Sequence, residues 1–417
     1  INAGFVITTE LNNNLGITQF YGAAGNVSSG RIVGGTQDNG TLRYLGDTET
    51  WDSVAGGDGG WCASDPTNPN FFFGEFQWLQ LHRSIDGGGT AQTIYQGITD
   101  AVPNGTTNFI APFILDPNNP NRLLAGGANL WRTNNARGVV PLGWASIKSP
   151  VGSNISAIAV AKGNSDIIWV GHNNGNIYVS TNGTSDTPTW TRVDDNAPLP
   201  DGRRNTRLAI DPTNSSRVFV TFGGFTSGNV WRTDNGGASW INTTNNLPAA
   251  PVRSVAIWQD NPNNIYVGTE VGVFASANGG QSWSPSNDGP TNCSVDELFW
   301  MGNKLVAATH GRGMFSINIS SGQPPLVNIT SPAEGANFTS GANVIIEATA
   351  NDPDGTVSKV DFYYGPNLIG TDSTSPFSIV WNSAPSGSHV LTAKATDNSG
   401  DSGISLGVNV TVAGGNG

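Results

Sequence analysis

The residues best suited to chemistry are acidic and aromatic, and they fall in glycine-rich stretches. "GGTQDNGTLRY" (34–44) carries Asp38 and Asn39, "GGDGGWC" (56–62) carries Asp58 and Trp61, and "GEFQW" (74–78) carries Glu75 and Trp78. Two carboxyl groups roughly 6.5–9.5 Å apart can hydrolyse a glycosidic bond with inversion, one acting as acid and the other as base. The same carboxylates can instead accept hydrogen bonds from sugar hydroxyls while the indoles stack on sugar rings, and that role needs no matched pair of pKa values. His172, Glu270, His310 and Arg312 are further polar residues in short loops of the same kind.

Other chemistries find little support. Cys62 and Cys293 are the only cysteines, too few for a disulfide framework, and no Cys/His spacing suits a metal. No Gly-x-Ser-x-Gly or phosphate-loop spacing occurs. "NDPDG" (351–355) places Asn351, Asp352 and Asp354 at alternating positions that could hold calcium, but a turn between strands explains them without a metal, so no cofactor is expected. The net charge is −12, and the five Lys and fourteen Arg form no basic stripe, which argues against a nucleic-acid partner. No apolar run is long enough to span a bilayer.

What positions these residues follows from composition and repetition. With 55 Gly, 24 Pro and only 12% charged residues, the chain suits short strands and tight turns better than long helices. "DPTNSSRVFVTFGGFTSGNVWRTDNGGASW" (211–240) has counterparts at 65–95, 116–144, 163–190 and 261–283. The closing aromatics fall at 51, 95, 144, 190, 240 and 283, in steps of 44, 49, 46, 50 and 43. A period of about 45 residues with four strand-sized runs is the signature of a β-propeller blade.

The tails "RTDNGGASW" and "SANGGQSW" resemble the Asp-box, or bacterial neuraminidase repeat, found in sialidases, sortilin-type receptors and xyloglucan-cleaving endoglucanases. The resemblance implies a hairpin turn between a blade's third and fourth strands, in which Asp86 and Asp234 are structural caps. A seventh copy, 294–319, lacks the box, and "VITTELNNNLGITQF" (6–20) resembles the passage out of a fourth strand. The expected fold is therefore all-β: a seven-bladed propeller over 1–319 whose N-terminal strand closes the ring. Within a blade, the loop between strands two and three shares a face with the blade-to-blade connection. Asp38, Asn39, Asp58, Trp61, Glu75, Trp78, Asn129, His172, Asn173, Glu270, His310 and Arg312 are thus expected on one rim.

After a linker at 320–326, residues 327–413 resemble the bacterial immunoglobulin-like modules of secreted hydrolases and adhesins, through "SPAEGANF", "ATANDPDGTVSKVDFYYG" and "LTAKATDNSG". About seven strands are expected around Ile346, Val360, Phe362 and Trp381, with a tail at 414–417. The opening "INAGFV" reads as the start of a mature segment of a secreted precursor.

Three functions fit. The first is a non-catalytic secreted or surface-exposed bacterial binding or adhesion protein, with a glycan or surface protein as partner. The second, implied by the resemblance of "GGTQDNGTLRY" to xyloglucan-cleaving enzymes, is a glycoside hydrolase with Asp38 as its catalytic carboxylate; there the partner carboxylate comes from a second, facing propeller, which this chain lacks. The third is a structural subunit that assembles with itself or with further domains of a longer precursor. Sialidase activity lacks its arginine triad, because the arginines are mostly accounted for by "WRT"-type blade positions.

Overall fold

The computed structural model describes residues 18–46, 51–102, 106–195, 197–285, 290–319, 324–353, 355–398 and 400–414, and these contain strands and turns but no helix. The chain divides into two compact units, Ile1–Asn318 and Ile319–Gly417.

The first unit is a β-propeller. Six antiparallel sheets of four strands and one of three follow one another in chain order. We call them blades 1 to 7. Their innermost strands are Phe20–Gly25, Cys62–Ser64, Phe113–Asp116, Ile155–Ala161, Asn205–Asp211, Val252–Ile257 and Ser294–Met301. Each packs against the next, and the innermost strand of blade 7 packs back against that of blade 1. The bridge from Gln19 to His310 joins the same two blades. Blade 7 has three strands among the described residues, and the expected closing strand lies outside them.

The repeat works through two sets of bonds between blades. Four closing indoles, those of blades 3 to 6, donate their Nε1–H to a carbonyl near the outer strand of the preceding blade. Trp144 reaches Ile94, Trp190 reaches Ile147, Trp240 reaches Val193 and Trp283 reaches Thr243, all at 2.8–2.9 Å. Arginines of the third strands point the other way. Arg83 donates to the carbonyls of Ala136 and Gly138, Arg132 to those of Gly183 and Ser185, and Arg232 to that of Gly279. These are the "WRT"-type positions, and they lock each blade to the turn of the next.

The turns themselves are capped as the box pattern implies, with one correction. Asp86 Oδ1 accepts from the Gly89 and Thr90 amides, and the Ser84 hydroxyl and Thr90 amide hold its carboxyl down at about 2. In blade 5 the cap is Asn235, whose Oδ1 accepts from the Ser239 amide, not Asp234. Asp234 instead lies outside the turn and pairs with Arg232 at 3.0 Å. Counted from the closing Trp240, the capping position is five residues back, and Asp234 is one too early.

The second unit is an Ig-like sandwich with nine strands among its described residues, more than the about seven expected because short edge strands were hidden in turn-like sequence. Ile346, Val360, Phe362 and Trp381 are all buried in its core.

Candidate functional site

The N-terminal ends of the innermost strands converge on the mouth of the propeller's central channel. An open cavity of about 370 Å³ lies there, walled by Tyr21, Trp61, Phe109, Arg204, Arg207 and Arg253 among others, with Asp296 at its edge. The residues come from blades 1, 2, 5, 6 and 7 and from the segment entering blade 3. The antiparallel order puts the loops between second and third strands on this same side.

Asp38 occupies such a loop. It adopts a left-handed backbone (φ 59°), a conformation that Asp tolerates better than most residues, and its side chain is exposed. Its amide donates to Asp58 Oδ1 at 2.9 Å, while Asp58 Oδ2 accepts from Gln77 Nε2 at 2.6 Å. Asp58 therefore ties the blade 1 turn to the blade 2 loop. Asn39 stays at the exposed turn, bonded to the Gln37 carbonyl. Burial, followed by the negative charges of Asp58, Asp38 and Asp296, raises the Tyr21 phenol above its ordinary value.

The opposite wall is cationic. The Arg207 guanidinium lies 3.7 Å from the centroid of the Trp61 ring, so a residue of blade 5 crosses the channel to the entrance of blade 2. Arg207 also pairs with Glu297 of blade 7. Burial pushes the Glu297 carboxyl up to about 7 against the opposing pull of Arg207. Arg253 is held by Glu270, both its Nε and Nη2 donating to Oε2 at 3.0 and 2.7 Å. Arg204 is exposed, its carbonyl accepts from the Gly223 amide, and its side chain has no hydrogen-bond or ion-pair partner among the described residues; desolvation against the cavity wall, followed by the charges of Arg207 and Arg253, lowers its pKa.

Two residues expected on the rim are buried instead. Glu75 is 0% exposed. Its Oε1 accepts from the Leu79 amide at 3.0 Å and the Ala111 amide at 2.8 Å, and its Oε2 from the Trp61 amide at 3.4 Å. Burial raises its pKa well above the ordinary value, and the three amides oppose that shift. His172 is also fully buried, with Nδ1 against the Ser153 carbonyl at 2.8 Å and its ring edge-on to Tyr178. Both side chains fold inward because loop amides or carbonyls offer bonds there, so neither faces a ligand.

The remaining expected residues are dispersed. Trp78, at φ 58°, packs edge-to-face on Phe109, which itself lines the mouth. His310 lies 5.4 Å from the Tyr21 ring, and Arg312 donates to the Thr291 carbonyl. Asn129 is bonded to Asp100, and Asn173 to Asn108. Sequence reasoning missed Tyr21, Phe109, Arg204, Arg207, Arg253 and Asp296. The available signal was an arginine at the start of an otherwise apolar innermost strand, as in "NTRLAI" and "VRSVAI". The blade-locking pattern does not account for those arginines.

Among the described residues, no group of three or more His, Cys, Asp or Glu side chains could hold a metal ion. Asn351 ends a strand of the second unit, and Asp354 lies outside the described residues. Cys62 and Cys293 are free thiols, both with pKa raised by burial.

The buried imidazole makes a pH prediction. Burial first, then the nearby Lys148 charge, lowers the His172 pKa to about 4, from 6.5 for a free side chain. The unfolded chain thus binds more protons between these values, so the contribution of neutral His172 is complete above about pH 6.5 and lost as pH falls towards 4. The stability advantage of wild type over His172→Gln should shrink by on the order of 3 kcal/mol between pH 7 and pH 4. Denaturant melts at both pH values check this, and a pH-independent difference would refute it.

A bacterial Ig domain family matches residues 325–393. No curated protein matches the chain. Among solved structures, the chain is similar to the GH74 xyloglucanase of Xanthomonas campestris, at 13% identity and TM-score 0.56, covering 94% of this chain and 80% of that one. The GH74 enzyme of Niastella koreensis is similar at 17% identity and TM-score 0.53, covering 94% and 73%. YCF48 of Cyanidioschyzon merolae is similar at 13% identity and TM-score 0.51, covering 72% and 94%. At these identities the likeness shows the propeller fold, and the first unit shares it.

Proposed function

We propose that the chain is a secreted or surface-exposed bacterial binding protein whose propeller holds a glycan at the channel mouth. The observation that carries this reading is the makeup of that cavity: an indole and two further aromatic rings lining it together with Asp296 and three arginines. Carboxylates and guanidinium groups satisfy sugar hydroxyls, and aromatic faces cover the apolar side of a pyranose ring. The non-catalytic part of the reading is supported by the state of the two carboxyls with raised pKa. Glu75 is consumed by backbone amides and Glu297 by Arg207, so neither is free to hand a proton to a leaving group. The bacterial Ig domain and the likeness to xyloglucanase propellers support an extracellular location.

A hydrolytic reading is favoured by those same neighbours, one of which is named as a xyloglucanase. Asp38 would then be the catalytic carboxylate. The two readings separate in one experiment on the purified chain, combining binding to a glycan array with product analysis on xyloglucan, other β-glucans and sialosides. Binding without cleavage is expected. Asp38→Ala should change affinity or loop stability by roughly 0.5–2 kcal/mol, the scale of one lost cap-type bond. Turnover by wild type, lost by orders of magnitude in Asp38→Ala with unchanged melting, would replace the binding reading with the hydrolytic one.

A further inference from the structure

Arg204 is a cation without a counter-ion in a cavity whose other arginines are paired. Arg207 has Glu297, and Arg253 has Glu270. Two neighbouring guanidinium groups oppose the charge of Arg204, and no described carboxylate bonds it. An anion arriving at this wall therefore meets one free planar fork backed by two more positive groups, the geometry that suits a carboxylate. The chain as a whole carries −12, so this wall departs from its surroundings in sign.

The next feature lies on the same blade. Gly223 lines the cavity beside Arg204 and begins the loop to Asn229. That loop is held from within: Arg203 donates to the carbonyls of Gly223 and Ser227 at 3.0 and 3.1 Å, and Asn229 Nδ2 to those of Gly224 and Thr226 at 2.9 and 2.8 Å. Gly224 and Gly228 take the left-handed backbone that its two bends require. The fixed loop presents Phe225 at 73% exposure. An ordered loop that leaves a phenyl ring in water has formed a platform already in place for a flat, partly apolar ligand.

We propose that the mouth selects an acidic polysaccharide, with the carboxylate of one sugar on Arg204 and a neighbouring ring stacked on Phe225. This rests on the glycan-binding reading and narrows it. The Asp296 carboxylate in the same cavity can accept from the hydroxyls that a uronic acid carries beside its charge, hydroxyls that the side chains of an acidic peptide lack. A neutral glycan would leave Arg204 unanswered.

The test uses the full chain and calorimetry with a trimer of galacturonic acid, its methyl ester, a neutral cello-oligosaccharide, a sulfated neutral oligosaccharide and an oligoglutamate peptide. The free acid should bind about tenfold more tightly than its ester, and added salt should narrow that gap. Arg204→Gln, at an exposed unpaired side chain, should melt like wild type and bind acid and ester equally. Phe225→Ala should weaken both by a similar factor. Equal binding of acid and ester to wild type, or indifference to Arg204→Gln, would overturn the proposal while leaving glycan binding intact. Preference for the sulfated oligosaccharide or the peptide would also overturn it. Failure of every glycan to bind would remove the underlying reading as well.

Discussion

Glu75→Ala should destabilise the propeller by about 2–6 kcal/mol. Among the described residues the carboxyl is the only acceptor for the amides of Leu79 and Ala111, which are buried and separated by 32 residues. Each buried amide left without a partner costs roughly 1–3 kcal/mol. The turn that Glu75 holds contains Trp78 and Leu79 in consecutive left-handed conformations (φ 58° and 62°). Such residues persist where surrounding bonds over-determine them, so the turn should relax once the carboxyl is gone. Trp78 would then leave Phe109, and ligand binding at the mouth should fall with stability. Glu75→Gln retains one oxygen and should lose less, roughly 1–2 kcal/mol. Guanidinium melts decide the matter: an alanine variant as stable as wild type would mean that water replaces the carboxyl.

The second large effect belongs to Arg207. Its pair with Glu297 is mostly buried, with the two side chains 12% and 13% exposed. Removing one member of such a pair costs about 3–5 kcal/mol, because the other is left charged and alone. Glu297 can escape by taking a proton, and that makes the cost depend on pH. Its pKa in the folded chain, about 7, is already above the 4.5 of a free side chain, and loss of Arg207 raises it further. The folded state then binds more protons than the unfolded one above about pH 4.5, so stability falls as pH rises through the window between the two values. Arg207→Met should therefore be close to wild type at pH 5 and several kcal/mol weaker at pH 8. Arg207→Met with Glu297→Gln should recover most of the loss at pH 8. A penalty equal at both pH values, or a double variant without recovery, would show that Arg207 acts through its contact with Trp61 and not through the charge.

These two residues mark the limit of what the sequence discloses. The repeat was legible because its closing aromatics do the same job in blades 3 to 6, where the bonds of Trp144, Trp190, Trp240 and Trp283 run to equivalent places. The side of the propeller that carries Asp38 was legible from strand order alone. Glu75 was not, because a carboxylate after a strand looks exposed until Ala111 is known to lie beside it. Arg207 was not legible either, since an arginine in a strand reads alike whether it crosses a channel or locks a turn. Both depend on chain segments brought together across blades, which no local pattern encodes. Asp234 was misread for a simpler reason: the turn's cap is set by its distance from Trp240, and two acceptor residues stand side by side.

The direction of the indole bonds bears on how the chain is made. Trp144, Trp190, Trp240 and Trp283 each reach back to the outer strand of the blade before, so each of those blades leaving the ribosome lacks its latch until about 45 more residues have emerged. The growing end of the nascent chain then always carries one unlatched edge, which is the kind of strand that pairs with the wrong neighbour. Arg83, Arg132 and Arg232 reach forward and cannot bond until the next turn exists. Maturation would proceed as a zipper running one blade behind synthesis, and a break anywhere would strand the blade just made.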